Sequence, residues 1–183
     1  EYFIKYFAKR RYQFVDEADI ISGNIDNRGR SIYLTFDDGY FNNFKALEIL
    51  QNYNAKATFF ISTNHVKEQK CFWWDVLARE GVSEGLSEAE IEKQNLILCQ
   101  LKWEEQEEQL SNKYGKSCFD PRSDIERPMT ELELQKFANN DLVTIGNHTH
   151  NHLNLLLYSK REIQDSIKEA ESYLNDLIGV RTE

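Results

Sequence analysis

Apolar and polar positions in the first third of the chain predict a strand, a helix and a second strand. The stretch Ser31–Phe36 is apolar and rich in β-forming residues, which is typical of a strand. The segment 41–54 carries apolar residues at helical spacing, namely Phe44, Leu47, Ile49 and Leu50. The short apolar run Ala57–Ile61 then predicts a buried strand. A strand, a helix and a strand joined by short connections form the unit of a parallel sheet or barrel.

The same rhythm returns in the last third of the chain. Leu142–Gly146 has the pattern of a strand, and a capping box at Thr130 predicts a helix before it. The predicted buried face of that helix consists of Leu132, Leu134 and Phe137. A second capping box predicts a long helix over Ser159–Ile178, which Gly179 is well placed to end.

The amino-terminal region has a weaker pattern. Tyr2–Phe14 is aromatic and basic, and residues 15–22 carry acidic and apolar positions. Together they favour a helix followed by a short strand. Residues 24–30 are polar and contain glycines, which predicts a loop before the first strand of the core.

The character of the chain changes between residues 67 and 128, where helical patterns replace strands. A capping box at Ser87 predicts the start of one helix, and residues 101–114 predict another that is acidic on its exposed side. We interpret this stretch as a helical insertion in a single α/β domain covering residues 1–183. The insertion would cover a site or form an oligomer contact. In such folds, functional groups collect at the carboxyl ends of the strands.

Composition excludes several classes of partner. The chain has 31 Asp and Glu against 22 Lys and Arg, a formal net charge of -9, which disfavours nucleic acid and anionic membrane surfaces. Hydrophobic residues make up 40%, enough for a real core, but no apolar run approaches a transmembrane span. The three cysteines, Cys71, Cys99 and Cys118, are too few and too scattered for a disulfide framework, which predicts reduced thiols.

Two motifs place metal-binding side chains directly after predicted strands. Asp37 and Asp38 follow the first strand of the core, and Gly39 frees the backbone to turn. His148 and His152 follow the last predicted strand, and on a helix both would project from one face. Asp38 and the two histidines would bind one divalent ion and leave a position for water, lowering the pKa of that water to roughly 7. Asp37 could then accept the proton of the water.

Each feature also has a plain structural explanation. Two adjacent Asp residues after a strand are often a solvated turn, and pairs of surface His occur without metal. On a helix His150 would face away from the ligand candidates, as a surface or supporting residue and not a ligand. His65 has no partner in sequence. The pair Trp73–Trp74 could stack on a sugar ring, but aromatic pairs more often pack in a core.

The two motifs resemble those of the polysaccharide deacetylases of carbohydrate esterase family 4, the NodB-homology group. The similar segments are Thr35-Phe36-Asp37-Asp38-Gly39 and His148-Thr149-His150-Asn151-His152. The resemblance covers roughly residues 10–62 and 129–180. It implies that Asp37 is the catalytic base and that Asp38, His148 and His152 bind one metal ion. It also implies that Thr149 braces the His loop through its hydroxyl.

The resemblance further implies a partial, distorted (β/α) barrel with fewer strands than the eight-stranded form. The family has three later motifs, which supply an oxyanion-stabilising N–H, groups that tune the base, and the acid for the leaving amine. The sequence ends at Glu183, about where the third motif would begin. We therefore expect an incomplete domain with slow turnover. Exposed sheet edges would favour a homo-oligomer or a domain-swapped dimer.

The function implied by the resemblance is removal of N-acetyl groups from the amino sugars of a polysaccharide. Zinc is the expected ion, although two His and one Asp also accept Co²⁺, Ni²⁺ or Mn²⁺. The acetylated glycan is the expected substrate. Two alternatives stay open. One is the same chemistry on O-acetyl esters or small cyclic amides, and the other is a catalytically inactive metal- or glycan-binding scaffold.

Overall fold

The computed structural model describes residues 1–26 and 29–179, and these form short parallel sheets surrounded by helices. A two-stranded sheet pairs β1 with β2, and a three-stranded sheet has the order β3-β4-β5. The strands are β1 (Gln13–Val15), β2 (Ser31–Tyr33), β3 (Thr35–Phe36), β4 (Ala57–Ile61) and β5 (Val143–Asn147). Every pairing in the two sheets is parallel.

Nine α-helices lie in the described part of the chain. They are α1 (Tyr2–Lys9), α2 (Glu17–Ser22), α3 (Asn43–Tyr53), α4 (Thr63–Glu68), α5 (Trp73–Ser83), α6 (Glu88–Leu98), α7 (Trp103–Tyr114), α8 (Glu131–Ala138) and α9 (Lys160–Ile178). Two short 3₁₀ helices cover Lys116–Phe119 and Leu155–Leu157. None of the helices in residues 1–26 and 29–179 is long and apolar enough to cross a membrane.

The main core lies on the three-stranded sheet. Phe59 at the middle of β4 is fully buried and pairs in register with Phe36 on one side and Ile145 on the other. Its ring stacks on Phe36 at 4.7 Å and meets the edge of Phe137 from α8 at 4.6 Å. The predicted strand Ala57–Ile61 is therefore confirmed. The helix predicted before it and the strand predicted over Leu142–Gly146 are confirmed within one or two residues.

The predicted strand over residues 31–36 is divided between the two sheets. Its first half, β2, pairs with β1, and its second half, β3, pairs with β4. The change occurs at Leu34, whose carbonyl accepts a hydrogen bond from the N–H of Thr58 at 2.9 Å. The run of apolar residues predicts an extended chain correctly, but it does not encode a change of pairing partner.

Two predictions were wrong, one about a strand and one about the buried face of a helix. Residues 17–22 form a helix, not the short strand expected over 15–22, because Asp16 and Asp19 build a capping box. The short strand lies earlier, over β1. In α8, Leu134 and Phe137 are fully buried as predicted, whereas Leu132 is 70% exposed. Part of the loop predicted over 24–30, at residues 27 and 28, lies outside the described residues.

The segment 67–128, called the middle segment below, packs around a second apolar cluster. Its buried members are Cys71, Val76, Leu77, Leu98, Leu110, Cys118 and Phe119. The predicted helix after Ser87 is confirmed with a complete capping box, and the predicted helix over 101–114 begins at Trp103. All three cysteines are free thiols, as predicted.

The last helix matches its predicted ends. Ser159 caps α9 through a capping box, and Gly179 follows it with a left-handed backbone at φ 69°. The chain end expected near the third family motif, residues 181–183, lies outside the described residues.

Candidate metal centre

The site residues follow the carboxyl ends of neighbouring parallel strands. Asp37 and Asp38 come directly after β3, and His148 comes directly after β5. Since β3 and β5 flank β4 in one parallel sheet, these strand ends meet at the same edge. The sheet thus brings together residues more than 100 positions apart in sequence.

A tight turn that carries Asp38 and Gly39 follows β3. Asp38 and Gly39 both have left-handed backbones, at φ 77° and 89°. A Cβ at Gly39 would lie 3.1 Å from Cδ1 of Ile61, so both the conformation and the space favour glycine. The turn predicted from Gly39 is confirmed. Asp38 is a non-glycine residue in the same region, which indicates local strain held by the surrounding contacts.

Backbone hydrogen bonds hold the strand ends against one another. The N–H of Ser62 donates to the carbonyl of Asp38 at 3.2 Å, and the N–H of His148 donates to the carbonyl of Ile61 at 3.0 Å. On the other side of the turn, the N–H of Met129 donates to the carbonyl of Gly39 at 2.9 Å. The loop that carries Asp38 is therefore fixed from both sides.

The histidine loop is not helical, which corrects the proposed helical pairing of His148 and His152. Thr149 and His152 have left-handed backbones at φ 64° and 52°. The hydroxyl of Thr149 accepts a hydrogen bond from the N–H of Leu153 at 3.0 Å. The backbone N–H of Thr149 donates to Oδ1 of Asn147 at 2.8 Å. The bracing contact expected of the Thr149 hydroxyl is present. Turns, not helix spacing, direct both imidazoles to one point.

Asp38, His148 and His152 converge on a common centre. Oδ1 of Asp38 lies 3.5 Å from Nε2 of His148 and 3.2 Å from Nε2 of His152. One potential ligand atom from each residue lies within 4.8 Å of the others. Ligand atoms around a tetrahedral zinc ion, at about 2.0–2.2 Å from the metal, would be roughly 3.3 Å apart. The spacing and the donor types therefore fit one divalent ion.

The electrostatic setting favours the form of histidine that binds metal. Burial, and next the neighbouring His152, lower the pKa of His148, and the charges of Asp38 and Asp37 oppose them. An imidazole must be neutral to coordinate an ion, so a lowered pKa keeps this ligand ready at neutral pH. The side chain of Asp37, the predicted base, is exposed to solvent and lies near His148.

His150 lies outside the cluster, but it is not a surface residue. It is only 5% exposed, and its Nδ1 lies 2.7 Å from the hydroxyl of Thr63. Its Nε2 faces Glu169 of α9 at 3.2 Å, and its backbone N–H donates to the hydroxyl of Ser166 at 3.0 Å. His150 therefore anchors the loop between the two ligand candidates to α4 and α9.

Aromatic residues of the middle segment form a wall beside the cluster. Trp74 meets the ring of His152 edge-on at 4.8 Å, and Phe72 does so at 5.7 Å. His65, for which the sequence offered no partner, stacks on Phe72 at 3.8 Å, and burial lowers its pKa to about 4. No local pattern in the sequence connects these residues with the metal motifs.

A hydrogen-bond chain ties the same wall to the Asp38 turn. The indole N–H of Trp74 donates to the hydroxyl of Tyr40 at 2.8 Å, and that hydroxyl donates to Oδ2 of Asp75 at 2.6 Å. Burial raises the pKa of Asp75 to about 6. Tyr40 directly follows Gly39, so the middle segment is fastened to the first motif. In the sequence, the signal for this contact is that Tyr40 adjoins the first motif and Asp75 adjoins Trp74. The hydrogen bond itself joins residues 35 positions apart.

Comparison with known proteins agrees with this architecture. Residues 24–183 match the sequence model of the polysaccharide deacetylase family. The chain belongs to the polysaccharide deacetylase family. A comparison with curated proteins found no match.

Solved structures share the fold at low sequence identity. The Streptococcus pyogenes deacetylase PplD, in complex with acetate, is 16% identical with a TM-score of 0.59. The match covers 98% of this chain and 56% of the PplD chain. A polysaccharide deacetylase from Bacillus cereus is 16% identical with a TM-score of 0.56, covering 97% and 39%. The BpsB deacetylase domain from Bordetella bronchiseptica is 16% identical with a TM-score of 0.53, covering 98% and 64%.

These likenesses and the parallel sheets confirm the predicted fold class, an α/β chain forming part of a distorted (β/α) barrel of the NodB type. The chain spans about half the length of the first of these structures and less of the second.

Proposed function

We propose that this chain carries the metal centre of a hydrolase that removes N-acetyl groups from the amino sugars of a polysaccharide. The observation that carries the proposal is the convergence of Asp38, His148 and His152 at one sheet edge, with Asp37 beside them. Membership of the deacetylase family supports an acetylated glycan as the substrate.

The proposed ion is zinc, held by Asp38, His148 and His152. Two imidazole nitrogens and one carboxylate suit Zn²⁺, and they also accept Co²⁺, Ni²⁺ or Mn²⁺. When bound, such an ion supplies an acidic water and polarises the acetyl carbonyl.

Asp37 acts as the base in this proposal. Asp37 is exposed to solvent and lies outside the candidate ligand group of Asp38, His148 and His152. Asp37 accepts a proton from the attacking water as the water oxygen bonds to the acetyl carbon. The C–N bond then breaks as the sugar nitrogen takes up a proton, which the family resemblance assigns to an acid in a later motif, and the products are acetate and a free amine on the sugar.

An Asp37→Asn variant tests these roles. The proposal expects the variant to hold metal like the wild type, because Asp37 is not a ligand, and to lose acetate release from an acetylated glucosamine polymer by at least about 100-fold. Asp141→Asn is the matched control, since Asp141 is exposed near the opposite end of β5. We expect this control to leave acetate release unchanged.

The other outcomes distinguish the alternatives. An Asp37→Asn variant with the wild-type rate would refute the role of the base. A wild-type chain that holds metal and releases no acetate, also when the polymer carries O-acetyl groups, would favour a metal-binding scaffold. Release from O-acetyl groups alone would change the substrate and keep the chemistry.

Two further expectations belong to this proposal. We expect turnover by residues 1–183 to be slow, because the family resemblance places the amine-protonating acid in a later motif. In the described residues β3 and β5 are the edge strands of the three-stranded sheet, and we expect pairing through such edges to give a homo-oligomer or a domain-swapped dimer. Light scattering measures the oligomeric state directly.

A further inference from the structure

The helix α1 presents aromatic rings to solvent on the side that faces away from the core. On its inner side Ile4 is buried and Phe7 packs against the main core. On its outer side Tyr2, Phe3 and Tyr6 are 82%, 52% and 40% exposed. Single exposed apolar residues are ordinary, but a group of exposed rings on one short helix is typical of an interaction surface.

Contacts within the helix already hold these rings in place. The ring centroid of Phe7 lies 4.7 Å from that of Phe3 and 5.0 Å from that of Tyr6. The guanidinium of Arg10 lies 3.6 Å above the centre of the Tyr6 ring, and it donates a hydrogen bond to the carbonyl of Tyr6 at 3.2 Å. Rings that are ordered in the free protein lose little conformational freedom on binding, which lowers the cost of association.

Basic side chains accompany the rings. The basic residues of the segment 1–11 are Lys5, Lys9, Arg10 and Arg11, and its only acidic residue is Glu1. All four basic residues are exposed, and none forms an ion pair with a carboxylate among residues 1–26 and 29–179. Helix positions three and four apart share a face, so Lys5 and Lys9 lie on the same side of α1 as Tyr2 and Tyr6.

The exposed basic and aromatic residues of this helix are called the α1 face below. They are Tyr2, Phe3, Lys5, Tyr6, Lys9 and Arg10. We propose that the α1 face binds an anionic phospholipid surface. Aromatic rings are favoured at the level of the lipid headgroups, and ammonium and guanidinium groups attract the lipid phosphates there. A lipid surface accommodates exposed rings without a matching pocket, so it suits the convex side of a helix.

The acidic composition of the chain does not decide this contact. A net charge of -9 predicts repulsion from anionic surfaces for the chain as a whole. Salt at physiological concentration screens exposed charges beyond about 8 Å, so the residues next to the lipid matter most. On α3, which packs against α1, Lys45 and Glu48 are exposed and of opposite charge. The α1 face is therefore locally basic, and each Lys or Arg at an anionic surface strengthens binding about fivefold.

Co-sedimentation of the full chain with lipid vesicles tests the proposal, which does not depend on the candidate metal centre. One set of vesicles contains phosphatidylcholine alone, and the other also contains about one quarter phosphatidylglycerol. We expect at least about tenfold stronger binding to the anionic vesicles than to the neutral ones. Binding to the anionic vesicles should weaken when NaCl is raised from about 0.05 M to about 0.5 M, because salt screens the attraction.

Two double variants separate the local charge from the total charge. The double variant Lys5→Glu, Lys9→Glu should weaken binding to anionic vesicles at least about 20-fold, because two cations leave the α1 face. The control double variant Lys93→Glu, Lys168→Glu changes the net charge equally at exposed positions of α6 and α9, and it should bind like the wild type. Phe3→Ala should weaken binding about three- to tenfold through loss of one ring.

Urea midpoints that match the wild type establish that a loss of binding is not a loss of folding. Equal binding to neutral and anionic vesicles, or equal binding by the two double variants, would overturn the proposal. A folded wild-type chain that binds neither kind of vesicle would also overturn it. In that case, light scattering that shows a wild-type dimer and a Phe3→Ala monomer would assign the α1 face to a second copy of the chain.

Discussion

The three-stranded sheet and the middle segment contribute to the site in different ways. The sheet positions Asp37, Asp38 and His148 through backbone register, because each follows the carboxyl end of a parallel strand. The middle segment reaches the same place through side chains, by the contacts of Trp74 with His152 and Tyr40. The candidate metal centre therefore depends on the backbone register of the sheet, whereas the aromatic wall beside it depends on long-range side-chain packing.

The two regions also have separate apolar clusters, so a change in one should spare the other. The first cluster is centred on Phe59 and the second surrounds Cys71 and Leu77. Substitutions at Phe59 and Arg79 test that separation.

Phe59→Ala should have the largest effect on stability. Phe59 is fully buried between Phe36 and Phe137, and truncating such a ring costs about 3–5 kcal/mol of unfolding free energy. Urea denaturation measures the loss. Phe3→Ala, at a ring that is 52% exposed on α1, serves as the control and should cost less than about 1 kcal/mol. Similar losses in the two variants would show that the sheet is not the main core.

Arg79→Met should loosen the middle segment and leave the sheet intact. The Arg79 guanidinium donates to Glu126 and to the carbonyl of Cys118, so its removal leaves a buried carboxylate without its charge partner. Losing one partner of a buried pair costs about 3 kcal/mol. Hydrogen exchange should therefore speed up in α5 and α7 and stay slow in β4.

The control for this change is Arg161→Met. Arg161 is 91% exposed and pairs with Asp165 at 3.7 Å, so its loss should not alter exchange in either region. If Arg79→Met accelerates hydrogen exchange in β4 as much as in α5, the two apolar clusters unfold as one unit. That result would contradict their separation.

Glu133→Gln should have the smallest effect and a distinct pH dependence. The guanidinium of Arg127, at 2.7 and 3.0 Å, lowers the pKa of Glu133 from 4.5 to about 2. The folded state binds this proton less readily than the unfolded state, so the stabilisation is present above pH 4.5 and is lost as the pH falls towards 2. Because the pair is partly exposed, we expect about 1 kcal/mol at neutral pH.

Urea midpoints of the wild type and Glu133→Gln at several pH values check this prediction. The difference between the two should shrink between pH 4.5 and 2. Glu88→Gln, at an exposed position of α6, should follow the wild type throughout. A difference that stays constant down to the lowest pH would show that the ion pair with Arg127 is not its source.

The sequence predicted the strands and the helix caps well because they depend on local residues. The run Ala57–Ile61 and the capping boxes at Ser87, Thr130 and Ser159 are signals within a few positions, and each appears where expected. The convergence of Asp38 and His148 could be predicted for a similar reason, since each follows a predicted strand of one parallel sheet.

Other features depend on contacts that no local pattern records. The bend that joins His148 to His152 uses left-handed backbones at Thr149 and His152, where residue types allow but do not require them. The burial of His150 depends on α9, and the wall at Trp74 depends on a partner 34 positions away. Such features become visible only when the strands and helices are packed together.

The most direct test of the account is the metal content of the purified chain, by elemental analysis, for the wild type, His148→Ala and His65→Ala. Asp38, His148 and His152 should hold about one ion per chain in the wild type, and the ion should be lost in His148→Ala. His65→Ala should keep it, because His65 lies beside the cluster without belonging to it. A folded wild-type chain that binds no metal after reconstitution, or a His148→Ala variant that still holds one ion, would contradict the account.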